Sequence, residues 1–106
     1  MLDLVLATPQ EICLELGHRL KVQRLAQPLS QDELAARAGV STGTVKNLER
    51  SGVSTLLTLV RIVDALGLTG QLQDLLELQV RPLSIANMEK AEKAKKRMRA
   101  PRKVKG

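Results

Sequence analysis

Between Ser41 and Arg50 the chain carries a run of small or polar side chains: Ser41, Thr42, Gly43, Thr44, Lys46, Asn47 and Arg50. Placed on a helix, Val45 and Leu48 turn inward and these residues turn outward, with Ser41 at the tip. Asparagine can pair bidentately with an adenine edge. Threonine offers a hydroxyl beside a methyl that fits thymine. The chemistry on offer is recognition of base edges, not bond making. A solvated helix face has the same composition, so the reading depends on the elements that would hold this face in place.

Those elements are legible. Ser30 followed by Glu33 is a capping box, which starts a short helix. Leu34, Ala35 and Ala38 form its inner face, and Gly39 follows its last turn, where a left-handed residue is needed. Val40 bridges to Ser41, which caps the next helix, ending near Ser51-Gly52. Two short helices so close in sequence must cross steeply. Ala35 is small enough to permit the approach, and Val40, Val45 and Leu48 fill the wedge beneath. Such packing presents one face of the second helix outward, narrow enough for a major groove.

The flanks supply a body. Thr8, Pro9 and Glu11 open a first helix that Pro28 stops, with Ile12, Leu16 and Leu20 as its apolar face. Ser54 or Thr55 opens a fourth helix with Leu59, Ile62, Val63 and Leu66 inward and Gly67 as its stop. A fifth helix is predicted from Gly70 to about Gln79, and a sixth from Ser84 to Pro101. Leu2, Leu4 and Leu6 alternate as in a short strand over residues 1–7.

From Leu16 to Leu68 the sequence resembles the lambda-repressor/Cro-like (XRE) helix-turn-helix family. The matching residues are Arg24, Leu29-Ser30-Gln31, Glu33-Leu34-Ala35, Gly39-Val40-Ser41, Thr44-Val45, Leu48-Glu49, Gly52, and Thr58-Leu59 through Ala65-Leu66-Gly67. The resemblance implies an all-α, five-helix DNA-binding domain that grips double-stranded DNA as a homodimer on a palindromic operator and regulates transcription. It implies that Gln31 braces a DNA phosphate and the start of the third helix. Ser41, Thr42, Gly43 and Asn47 would face bases, with Thr44 and Lys46 near the backbone. Arg24 and Glu49 would form a salt bridge tying the first helix to the third. Gly43 departs from the pattern, because a base-reading side chain often occupies that place. Direct readout would then shift to Thr42, Asn47 and DNA shape.

A second resemblance adds a partner. The Ala65-Leu66-Gly67-Leu68 ending, the Leu-rich Gln71–Leu78 segment, Pro82-Leu83-Ser84 and the basic tail are similar to HipB-type regulators. These are encoded with HipA-like Ser/Thr kinase toxins, and the likeness implies an autorepressor that serves as antitoxin or co-repressor.

Composition narrows the alternatives. The chain has no Phe, Tyr or Trp, so it cannot stack bases on aromatic rings as RNA-recognition sheets and single-strand binders do. Cys13 and His18 are the sole cysteine and histidine. They permit no intramolecular disulfide and fall short of the four ligands of a structural zinc site. Cys13 reads as a small filler or a boundary residue, and His18 as a solvent-facing or boundary residue. There is no nucleophile elbow, and Gly67-Leu68-Thr69-Gly70 is too short for a phosphate loop. No enzyme, metal or cofactor is expected. The N-terminus lacks a signal-peptide pattern and no apolar run approaches the ~20 residues that span a bilayer, which predicts a cytoplasmic protein.

The net charge of +6 is uneven. Residues 89–106 hold nine Lys/Arg and two Glu, whereas residues 1–88 hold eight basic and nine acidic side chains. This divides the chain into a near-neutral DNA-binding domain, 1–80, and a basic tail, 81–106, expected to be helical in part and disordered beyond Arg99. Leu72, Leu75, Leu76, Leu78 and Val80 could be plain core, but they exceed what a four-helix core should need and are the predicted dimer interface. A competing reading makes the protein an interaction adaptor that docks a partner through its basic C-terminal helix and binds DNA without sequence preference.

Overall fold

In the computed structural model, residues 2–79 are described. They form four α-helices: α1 (Pro9–Ala26), α2 (Gln31–Ala38), α3 (Thr42–Ser51) and α4 (Leu56–Ala65). Short 3-10 turns occupy Leu4–Leu6 and Thr69–Leu72. Among the described residues there is no strand.

Each α-helix begins at a side-chain cap. Thr8 and Glu11 exchange hydrogen bonds with each other's backbone N–H at 3.1 and 2.8 Å, as do Ser30 and Glu33 at 3.0 and 2.8 Å. These reciprocal pairs satisfy backbone donors that no helical carbonyl can reach. Ser41 accepts from the Thr44 N–H and Thr55 from the Thr58 N–H, both at 3.1 Å. Gly39 closes α2 at φ +69°, and the Val40 N–H then reaches back to the Ala35 carbonyl at 3.0 Å. This is the left-handed stop required between two steeply crossing helices.

The core joins all four helices. Leu20 of α1, Leu29, the α2 residues Leu34, Ala35 and Ala38, Val45 and Leu48 of α3, and Ile62, Val63 and Leu66 beside or within α4 are buried together. Val40, Leu59, Ala65, Leu68 and Leu72 pack around them. α2 lies against both α3 and α4, while α1 lies against α3.

Three sequence expectations are corrected. α1 does not face inward on Ile12, Leu16 and Leu20 alone: Leu16 is exposed, and the stripe that meets the body is Gly17, Leu20 and Arg24. The predicted strand is a 3-10 turn, because Asp3 accepts the Val5 N–H at 3.0 Å and curls the segment. The predicted fifth helix, and with it the five-helix count, gives way to a 3-10 turn followed by a turn over residues 73–76. Thr69, the natural cap for such a helix, lies inside the 3-10 turn with its hydroxyl donating to Asp64 at 2.8 Å, and the segment has no side-chain cap. Leu76 then adopts φ +62°, outside helical geometry. The compact unit built on the four helices extends to Gln73, and a second unit begins at Asp74. The predicted sixth helix and basic tail lie outside the described residues.

Candidate nucleic-acid interface

α3 is anchored by two buried residues, Val45 and Leu48, and by its backbone. Gly17 brings α1 so close that a Cβ there would overlap the Leu48 carbonyl oxygen and lie 3.4 Å from that of Glu49. Just beyond, at the C-terminal end of α3, Gly52 sits at φ +73° against the Cys13 carbonyl, with no room for a side chain. Sequence reading missed both contacts. The available signal was a glycine in mid-helix, where it costs about 1 kcal/mol relative to alanine and needs a packing reason.

A buried ionic network fixes the same helix. Arg24 Nε donates to Glu49 Oε2 at 2.6 Å and its NH2 to Oε1 at 3.0 Å, a bidentate pair. The Arg24 and Glu49 side chains are only 7% and 5% exposed. Arg24 NH1 also donates to the Leu29 carbonyl at 2.8 Å, which ties down the loop leading into α2. Gln31 Nε2 donates to Glu49 Oε1 at 3.0 Å. Burial pushes the Glu49 carboxyl up, but the hydrogen bonds from Arg24 and Gln31, with the charges of Arg24 and Lys21, hold it below its ordinary value. The Glu49 hydrogen bond raises the Arg24 guanidinium in turn, against the opposing effect of burial.

With its inner side fixed, α3 turns a defined stripe to solvent. Gly43, Lys46, Asn47 and Arg50, spaced along one face, are all exposed. Arg50 donates to Asn47 Oδ1 at 3.0 Å, which leaves the Asn47 amide NH2 outward as a donor. This exposed bond has to exchange for Asn47 to pair with both atoms of an adenine edge.

The hydroxyls at the start of α3 are partly engaged. Ser41 Oγ caps the helix and shares a proton with Thr44 Oγ1 at 2.7 Å. Thr42 is half-buried and donates to Asp32 Oδ1 at 2.6 Å. Gln31 was expected to brace the start of this helix. It reaches Glu49, near the other end, and Asp32 makes the brace. A threonine hydroxyl is short, and the carboxylate one position further along α2 is the group within its range. Asp32 is therefore a residue of the candidate interface that the sequence reading passed over.

The predicted dimer residues divide. Leu72 is half-buried and packs on the core. Leu75, Leu76 and Leu78 are exposed, Leu76 at 93%. Val80 lies outside the described residues. A separate set of apolar side chains, Val53, Leu56 and Leu57, is exposed where α3 passes into α4. Cys13 and His18 are also exposed.

The family of helix-turn-helix domains matches residues 15–76, well over half of the chain. The match takes in α2, α3, α4 and most of α1, the helices whose packing presents the α3 stripe. The chain therefore belongs to the helix-turn-helix domain family, whose members bind DNA. Among curated proteins, none matches the chain. No helix among the described residues is long and apolar enough to cross a membrane. Nor do those residues bring together three His, Cys, Asp or Glu side chains that could hold a metal ion.

Proposed function

We propose that the protein is a sequence-specific transcriptional repressor that binds a palindromic operator as a homodimer. The observation that carries this reading is the α3 stripe of Gly43, Lys46, Asn47 and Arg50, held outward by a buried ion pair and two glycine contacts. In this reading Asn47 and Thr42 discriminate bases. Lys46 and Arg50 meet phosphates, Ser41 and Thr44 set the helix tip, and Gln31 contributes to affinity by holding Glu49. Gly43 leaves room over the groove. One such helix spans only a few base pairs, so a second copy is needed to define a site in a genome. The exposed Leu75, Leu76 and Leu78 supply an apolar contact for that copy.

The regulated operon is its own, and the partner is a HipA-like Ser/Thr kinase, which makes the chain the HipB-like member of a toxin–antitoxin pair acting in the cytoplasm. Support for this part is the likeness of Ala65–Leu68, the Leu-rich segment and the basic tail to such regulators.

Selection of bound duplexes from a random library by the full chain tests the DNA reading. The expected product is a two-fold symmetric motif with half-site centres about one helical turn apart, roughly 10 base pairs. Recovery of unbiased sequence, with binding that vanishes in moderate salt, would leave only phosphate attraction and favour the adaptor role. Co-purification with the product of an adjacent kinase gene tests the partner.

A further inference from the structure

The contact between Asp32 and Thr42 does more than brace the start of α3. α2 already has its N-terminal donors satisfied by the Ser30–Glu33 box, and Asp32 is exposed. What the contact does is set the polarity of the surface where α2 and α3 begin. A threonine hydroxyl has one proton, and here it points at Asp32 Oδ1, 2.6 Å away. A carboxylate has no proton to give in return. The hydrogen-bonding sites left on half-buried Thr42 Oγ1 and on the exposed Asp32 carboxylate are all acceptors.

We propose that Asp32 is a specificity-determining residue. By taking the Thr42 proton it turns the pair into an acceptor-only reader that selects an amino-bearing base, cytosine or adenine, at one position of each half-site. In the major groove those bases present an exocyclic N–H, whereas guanine presents O6 and N7 and thymine presents O4 there. Acceptors placed against the latter two repel them. The negative charge lowers affinity for every duplex, since it also faces phosphates, so discrimination is gained at the expense of non-specific binding. This inference rests on sequence-specific binding as proposed above.

The test uses the full chain and its selected duplex. Each base of one half-site is replaced in turn by the other three, and affinities are measured by fluorescence anisotropy for the wild type, Asp32→Ala, Asp32→Asn and Thr42→Val. The wild type is expected to prefer cytosine or adenine at one position by about tenfold or more. Asp32→Ala and Thr42→Val should each erase that preference at the same position. A variant combining Asp32→Ala with Thr42→Val, measured alongside, should lose nothing further, because the two residues act as one reader. Asp32→Asn, which adds a donor, should admit guanine or thymine there. Asp32→Ala should also bind scrambled duplex more tightly. If Asp32→Ala strengthens binding equally on all duplexes and leaves every base preference intact, Asp32 acts by charge alone and the inference is overturned while specific binding stands. If the wild type itself selects no motif, both fail together.

Discussion

Gly17 of α1 lies directly against the Leu48 carbonyl of α3, so these two helices meet backbone to backbone. The consequence can be tested with two glycines. Gly17→Ala gains helix propensity of up to about 1 kcal/mol, but forces a methyl into a carbonyl that cannot move alone, an overpacking cost of about 1–3 kcal/mol. The net expected outcome is a lower melting temperature and weaker DNA binding as α3 tilts. Gly43→Ala meets nothing closer than Ser41 Oγ at 3.9 Å. It should stabilise the protein by roughly 0.5–1 kcal/mol. Thermal melts of both variants check the contrast in sign.

Glu49 is the hub of the buried network. Glu49→Ala leaves the Arg24 guanidinium buried without its carboxylate, a loss expected at about 3–5 kcal/mol. A chemical denaturation midpoint that barely moves would show that the pair contributes little.

The same network has a pH signature. The folded protein holds the Glu49 carboxyl below its ordinary value. The associated stability is therefore fully present above the unfolded value, near 4.5, and disappears as pH falls through the lower folded value. Glu33 is shifted the same way, first by the Ser30 backbone N–H. Glu49→Gln should flatten the decline of stability on acidification, leaving a residual slope that Glu33→Gln reduces further. Urea melts between about pH 6 and 2.5 read this directly. An unchanged slope in Glu49→Gln would place the acid-labile group elsewhere.

Two exposed apolar sets compete for the dimer contact. Burial of one leucine is worth about 1.5–3 kcal/mol, and a two-fold interface counts it twice. Leu76→Asp should therefore raise the dimer dissociation constant at least about a hundredfold, while Leu57→Asp leaves it unchanged. Sedimentation of the two variants separates the sites, and the opposite result would move the interface to the junction of α3 and α4.

How much of this was legible in the sequence follows from how local each feature is. The capping residues Thr8, Ser30 and Ser41, and the turn at Gly39, act within a few residues and were readable. So were the buried faces of α2 and α3, through helical period. Arg24 and Glu49 were paired through family likeness, since a contact across 25 positions leaves no periodic trace. The Asp32–Thr42 bond and the fit of Gly17 against Leu48 depend on the crossing geometry of separate helices and were not readable. The fifth helix failed because its leucines have helical spacing but the segment has no side-chain cap and Leu76 takes φ +62°.

The central claim is that the outward stripe of α3 reads base sequence, and Asn47 is its sharpest probe. Wild type and Asn47→Ala are titrated against the selected duplex and a scrambled duplex at one fixed salt concentration, with Lys46→Ala alongside. Losing a bidentate base contact should weaken binding to the selected duplex by about 1–3 kcal/mol and leave the scrambled duplex almost unaffected. Lys46→Ala should weaken both about equally and lower the salt dependence. A ratio of specific to scrambled affinity that is the same in Asn47→Ala as in the wild type would contradict the claim.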